Sequence, residues 1–165
     1  MEKEGVNRRA HVITVSDGVS AGTRDDISGP AVVDLLKAAG FRPSGPEVVP
    51  DKQERICDAI VAAVVDGQDL VVTTGGTGLG PRDVTPQATA MLIDYEVPGL
   101  GELMRRAGST STPMAALSRG IAGVRGHALI LNVPGSVSGA TESIQAVMPT
   151  LPHAIQLLHG DTRHE

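Results

Sequence analysis

The chain has 165 residues and 17.0 kDa, 41% of them hydrophobic, enough for one compact domain with its own core. Fourteen Lys and Arg against nineteen Asp and Glu give a formal net charge of −5, which speaks against a duplex nucleic-acid binder, because phosphate neutralisation needs a basic surface. A small anionic ligand held by a few local donors remains compatible with that charge.

Phe41 and Tyr95 are the sole aromatic residues apart from histidine, and Trp is absent. Single-stranded nucleic acid would therefore find no stacking platform, and the core must be built from Val, Ile, Leu, Ala and Met. Such a core suits buried parallel strands covered by helices. Cys57 stands alone, which excludes an intrachain disulfide and a cysteine-based metal cage. No apolar run reaches the roughly 18 residues of a membrane span, and the charged start Met1-Glu2-Lys3-Glu4-Gly5 is unlike a signal peptide. The expectation is a cytoplasmic protein with no membrane and no nucleic-acid partner.

Residues 1–9 are polar and expected to fray. Ala10-His11-Val12-Ile13-Thr14-Val15 reads as a buried strand closed by Ser16-Asp17-Gly18. Ser28 is an N-cap candidate with Pro30 just inside the helix, and Gly40 is its stop. Glu47-Val48-Val49 is a short second strand. Asp51-Lys52-Gln53-Glu54 has the form of a capping box, worth about 1 kcal/mol, opening a helix through Val65 with Ile56, Ile60 and Val64 on one stripe. Asp69 to Thr74 is a third strand, and Thr85-Pro86 caps a helix to about Tyr95. The alternation of strand and helix predicts a three-layer α/β/α arrangement on a mostly parallel sheet. Next come a helix from Pro98 to Ala107, a Gly/Ser/Thr loop at 108–112, and strands Ala116–Val124 and Ala128–Val133 joined at Arg125-Gly126 as a hairpin or sheet edge. A helix from Gly139 to Leu158, interrupted at Pro149 and Pro152, ends at Gly160, and 160–165 are expected to fray. One domain over 1–165 is the organisation expected, with no repeat or linker.

The strongest chemical signal is Thr73-Thr74-Gly75-Gly76-Thr77-Gly78-Leu79-Gly80-Pro81-Arg82-Asp83. A glycine-rich turn at the carboxyl end of a central strand is where open α/β sheets bind ligands, and glycine lets amides converge on a phosphate unobstructed. Neither the dinucleotide fingerprint nor the P-loop is present, so the loop is either a tight turn or an anion cradle; four glycines in six residues favour the cradle. Asp83 beside such a cradle would repel a phosphate unless a cation lay between them, which points to a Mg²⁺–nucleotide complex, or else it braces the loop. Arg82 is a phosphate contact or a solvated cation. Asp51 follows the second strand and shares the rim of the glycine loop, although the capping box alone would account for it. Ser16, Asp17, Asp26, Ser28 and Gly29 follow the first strand and could line the same crevice, or serve as turn and cap residues. Pro134-Gly135-Ser136 adds a hydroxyl-bearing loop after the last strand. His11, His127, His153, His159 and His164 lack metal-ligand spacing, no G-x-S-x-G elbow occurs, and Cys57 reads as helix packing.

Taken together, Thr-Thr-Gly-Gly-Thr-Gly at 73–78 and Arg-Asp-Val-Thr-Pro at 82–86 resemble the signature of the MoaB/Mog family of molybdenum-cofactor proteins. That family includes bacterial molybdopterin adenylyltransferases and the G domains of plant and animal homologues such as gephyrin. Val15-Ser16-Asp17, Asp26-x-Ser28-Gly29-Pro30, Val49-Pro50-Asp51, Pro98-Gly99 with Glu102, Ala116-Leu117-Ser118-Arg119 and Asn132-x-Pro134-Gly135 match in family order, from residue 12 to about 159. The resemblance implies the molybdopterin-binding fold, a homotrimer, and Mg²⁺-dependent transfer of AMP from ATP to the terminal phosphate of molybdopterin. It also implies a hand-off of the product to a molybdenum insertase. It places the family's two functional aspartates, the candidate Mg²⁺ holders, on Asp51 and Asp83, phosphate contacts on Gly75, Gly76, Thr77 and Gly78, and a substrate-proximal segment on Ser118 and Arg119. One departure follows Gly135: many relatives carry a second proline two residues on, where this chain has Ser136-Val137-Ser138-Gly139.

Three other readings stay open on sequence alone. A non-catalytic relative would bind molybdopterin or its precursor without adenylylating it, and retention of both Asp51 and Asp83 favours the enzyme over it. A trimeric scaffold is weakened by the lack of a linker or second domain. An unrelated nucleotide-binding regulator would bind Mg-ATP with no effect of molybdopterin.

Overall fold

Short runs of aliphatic residues become strands, and the computed structural model, which describes residues 8–162, joins them in one six-stranded sheet. In chain order the elements are β1 (Arg9–Val15), α1 (Asp17–Ser20), α2 (Ser28–Ala38), β2 (Arg42–Val49), α3 (Gln53–Val65), β3 (Leu70–Thr74), α4 (Thr85–Leu92), β4 (Tyr95–Glu96) and α5 (Pro98–Gly108). A 3-10 helix at Pro113–Leu117 precedes β5 (Ala122–Arg125), β6 (Ala128–Val133), α6 (Val137–Val147), a 3-10 turn at Met148–Thr150 and α7 (Leu151–Leu158).

The strand order is β2-β1-β3-β6-β5-β4. β2, β1, β3 and β6 run parallel, whereas β5 is antiparallel to β6, and β4 to β5. Every residue of β3 and β6 is buried, as expected of strands covered on both faces. Alternate residues feed two cores. Val12, Leu70, Val72, Leu129 and Leu131 pack with Leu36 of α2, Met104 of α5, Ile144 of α6 and Ile155 of α7. Ile13, Val71 and Ile130 face the other way onto Ile56 and Ile60 of α3 and Ala88 of α4. The expected three-layer α/β/α arrangement on a mostly parallel sheet is what the chain adopts.

Several local expectations are corrected. The capping box at Asp51 and Glu54 does not form: the N-cap of α3 is Lys52, with no side-chain bond to the helix. Ser28 lies inside α2, whose N-cap is Ile27; the first-turn amide of Gly29 is taken by Asp26 at 3.0 Å. Thr85 likewise begins α4 without capping it, and the helix ends at Leu92, so that Tyr95-Glu96 is an edge strand paired to β5. β2 is longer than Glu47–Val49 because β1 offers it a free edge; an edge position tolerates Pro43 and Pro46, which cannot donate to a ladder. The strand expected from Ala116 is a 3-10 helix to Leu117 and becomes strand only at Ala122, since Pro113 and the Thr112 hydroxyl cap, which accepts from Met114 N–H, begin a helical turn. α6 starts at Val137, two residues early, because the Ser136 hydroxyl accepts from Gly139 N–H and caps it. Arg9 belongs to β1 rather than to a frayed end. The rest of the expected N-terminal fraying, the leader reading at Met1–Gly5 and His164 lie outside the described residues. Gly40 and Gly160 do follow helix ends, at φ +87° and +83°.

Candidate functional site

From β1 the chain crosses to β2 on one side, while β3 and β6 lie on the other. The loops leaving β1 and β3 therefore diverge at their carboxyl ends and open a crevice, the usual ligand position in such sheets. A cleft of about 570 Å³ occupies it. Its walls include Ser16, Asp26, Ser28, Asp51, Gly75, Gly76, Asp83, Gly135 and Ser136, so most of the residues singled out in the sequence converge on one place. A second, mostly apolar cavity of about 270 Å³ adjoins it, lined among others by Thr77, Gly78, Met104, Leu117, Ser118, Pro134 and Ser136. Ser136 belongs to both, and the turns 75–78 and 134–136 form the neck between them.

Gly75 and Gly76 adopt φ of +96° and +68°, values open to glycine alone at little cost. Space demands glycine as well: a Cβ on Gly75 would meet Val15 O at 2.3 Å, and one on Gly76 would meet Thr85 Oγ1 at 2.3 Å. The amides of Gly76, Thr77 and Gly78, and those of Ser136, Val137 and Ser138 opening α6, donate to no protein acceptor among the described residues. Two groups of unpaired N–H dipoles thus border the neck, one of them at a helix N-terminus, the arrangement that binds phosphate groups.

Asp51 and Asp17 exchange backbone bonds: Asp17 N–H donates to Asp51 Oδ2 at 2.8 Å, and Asp51 N–H to Asp17 Oδ1 at 2.9 Å. This pair ties the ends of β1 and β2 and explains why Asp51 leaves the helix cap. Asp51 Oδ1 has no protein donor among the described residues and lies beside Gly76, 3.3 Å from where a Cβ would sit. Burial pushes the Asp51 carboxyl above the ordinary carboxylate range, with the charges of Asp17 and Asp83 adding to the rise. Asp83 accepts from Gly80 N–H through Oδ2 at 2.9 Å and closes the loop; its Oδ1 is not engaged by protein among the described residues. Two half-free carboxylates near enough to repel each other in one cleft suit a divalent cation that also binds phosphate oxygens. Mg²⁺ fits these donors. Among the described residues no group of three His, Cys, Asp or Glu forms a self-sufficient metal cage.

Several predicted ligand contacts are occupied within the protein. Asp17 receives Arg82 Nε at 2.9 Å and Nη2 at 3.1 Å, and the Arg82 bond holds its carboxyl below the usual range. Asp26 accepts from Thr14 Oγ1 at 2.7 Å besides bracing Gly29. Ser28 Oγ is hydrogen-bonded to Thr74 Oγ1 at 2.8 Å, and Arg119 is spent on Gly78 O, Asp83 O and Gln87. Asp17, Gly29, Arg82 and Arg119 line neither cavity. Thr85 and Asn132 support the site from beneath. Thr85 Oγ1 donates to Gly75 O at 2.9 Å, and Asn132 Nδ2 donates to Thr73 and Thr89 at 3.0 and 2.9 Å beneath the site. A threonine opening a helix, or an asparagine inside a strand, carries no mark of such a partner in the sequence.

A family model described as "Probable molybdopterin binding domain" matches residues 11–153. A molybdopterin adenylyltransferase of Helicobacter pylori (strain J99) is 39% identical over 153 residues, 91% of this chain and 87% of that protein. A "Molybdenum cofactor biosynthesis bifunctional protein" of Synechococcus elongatus is 40% identical over 151 residues, which are 92% of this chain and 47% of the longer protein. The crystal structure of the molybdopterin biosynthesis enzyme MoaB from Thermus thermophilus superposes with a TM-score of 0.86 at 52% identity, covering 92% of this chain and 96% of that one. With that family model matching most of the chain and relatives of this identity covering over nine-tenths of it, the chain belongs to the molybdopterin-binding domain family of molybdenum-cofactor biosynthesis proteins.

Proposed function

We propose that this chain is a molybdopterin adenylyltransferase, acting as the single domain expected over 1–165. An oxygen of the terminal phosphate of molybdopterin attacks the α-phosphorus of ATP; the new P–O bond forms as the bond to the β-phosphate oxygen breaks, and pyrophosphate leaves. The observation that carries this reading is the neck of unpaired amides shared by two cavities, with Asp51 and Asp83 at its rim. A transfer between two phosphorylated substrates needs such a meeting point. The larger cleft, with Ser16, Ser28, Asp51 and Asp83 in its walls, suits the metal-bound triphosphate, and the smaller cavity offers Met104, Ala115 and Leu117 as walls for a flat heterocycle.

The attacking phosphate is ionised near neutral pH, so no side chain has to activate it. What remains is charge repulsion and alignment. The amides of 76–78 and 136–138 hold phosphate oxygens, and Asp51 and Asp83 would hold Mg²⁺. Bound there, Mg²⁺ supplies neutralisation of phosphate charge. Arg82, 59% exposed at its side chain and paired with a half-exposed Asp17, is free to exchange that partner for a phosphate.

The homotrimer implied by the resemblance and the cytoplasmic location expected from the sequence belong to this proposal. Exposed apolar side chains such as Leu79, Met91 and Met114 support an assembly, which sedimentation would size. That no described helix is long and apolar enough to cross a membrane agrees with the location. The Synechococcus relative, in which this domain is 47% of a longer bifunctional protein, supports a hand-off to an insertase.

The experiment is anaerobic incubation of the protein with molybdopterin and Mg-ATP, followed by chromatography of the pterin. Adenylylated molybdopterin should appear, and should be lost without Mg²⁺ and in Asp83→Ala. Molybdopterin retained but unchanged would replace the enzyme by a binding protein.

A further inference from the structure

The unpaired amides of the glycine turn point where they do because the carbonyls behind them are tethered. Thr85 Oγ1 donates to Gly75 O at 2.9 Å, and Thr85 N–H donates to Gly76 O at 3.1 Å. Arg119 N–H then donates to Thr77 O, and Arg119 Nε to Gly78 O, each at 2.8 Å. Four successive carbonyls are therefore held by two residues. The peptides concerned are all trans, and a trans peptide directs its N–H opposite to its C=O. Tethering the carbonyls of 75–78 thus turns the amides of 76–79 the other way. That way is the ligand side: Gly75 to Gly78 line one cavity or the other, whereas neither Thr85 nor Arg119 lines either.

We infer that Thr85 and Arg119 are positioning residues, which aim the amides of Gly76, Thr77 and Gly78 at substrate phosphate without touching it. Arg119 is not itself a phosphate ligand. Its Nη2 donates to Asp83 O at 2.8 Å and its Nη1 to Gln87 Oε1 at 3.2 Å, so each guanidinium nitrogen is engaged within the protein, and the loop is held at both Gly78 and Asp83. Thr85 is fully buried, and its hydroxyl reaches the turn only because Gly76 has no Cβ in the way. The inference rests on the transferase reading for the anion concerned, a polyphosphate chain. It assigns the direction of the donors to residues outside both cavities.

The test is calorimetric titration of inorganic tripolyphosphate, and steady-state kinetics with Mg-ATP, on Thr85→Val, Thr85→Ser and Arg119→Lys. Thr85→Val removes the donor at nearly constant shape, and Arg119→Lys keeps the charge but cannot span both carbonyls. Both should lose about ten- to hundredfold in tripolyphosphate affinity, the worth of lost bonds to a charged group, with KM for ATP rising in parallel. Thr85→Ser should restore nearly all of it. Val and Lys variants that bind like wild type would overturn the inference, as would a Ser variant as weak as Val, or a wild type that binds no tripolyphosphate. If Thr85→Val does not fold, Arg119→Lys decides by the same criterion. Impaired variants alongside a wild type that binds tripolyphosphate but forms no adenylylated product would sink the transferase reading and leave the positioning role standing; full turnover in unimpaired variants would do the reverse.

Discussion

Asp51 shows how much one carboxylate can be redirected by its neighbours. The sequence offers it a helix to cap, but the amide of Asp17 takes one of its oxygens and leaves the other facing the glycine turn. Burial and the charges of Asp17 and Asp83 raise its pKa, so ionising it costs folding free energy. That cost is absent below the ordinary carboxylate pKa near about 4 and fully present above the raised value. Asp51→Asn should therefore melt higher than wild type at pH 7 while losing adenylyl transfer, and its advantage should vanish as the pH falls below about 4. Thermal melts across that range check the sign. Asp17 behaves oppositely: Arg82 depresses its pKa, so its contribution is present at neutral pH and fades as acid protonates it. On the surface, with salt screening, that contribution is small.

At the scale of elements, the turns carry the information and the helices carry the packing. Gly75 combines φ +96° with a backbone contact that leaves no room for a Cβ. Gly75→Ala should destabilise by about 2 kcal/mol or more in urea titration, from left-handed strain plus displacement of Val15. The start of α3 gives a contrasting expectation. Since no capping box forms there, Glu54→Ala should change stability by less than about 0.5 kcal/mol, where a working box would lose about twice that. α6 is a third case: its Ser136 cap sets the helix beginning and leaves the next two amides exposed to the neck. Ser136-Val137-Ser138-Gly139 therefore forms the cap and first turn of a helix whose start borders both cavities.

The whole molecule is a sheet with two separate cores. Ile60 of α3 packs on one face and Ile144 of α6 on the other, both fully buried. Ile60→Ala and Ile144→Ala should each cost about 2–5 kcal/mol. With the sheet between them, the double variant should lose the sum to within about 0.5 kcal/mol, as chemical denaturation would show. The same sheet order sets the site. Because β1 and β3 are neighbours whose loops leave in opposite directions, the cleft opens at their carboxyl ends, with the apolar layers of the sheet below it.

The sequence by itself determined the layered α/β arrangement, the central strands, the hairpin of β5 and β6, and the glycine turn with its two aspartates. These are legible because burial pattern, glycine and proline act locally: Leu70–Thr74 is an apolar run whichever partner it finds, and Gly75-Gly76 demands a turn anywhere. Only the tertiary structure decided what the polar side chains do. Asp51 was free to cap α3 until β1 brought Asp17 beside it, 34 residues away in sequence. Arg119, which the resemblance places near the substrate, is set by the fold against the carbonyls of a loop about 40 residues earlier. Hydrogen-bond donors and acceptors are satisfied by whatever the fold brings within about 3 Å, and that proximity is a property of the packed sheet rather than of any local pattern.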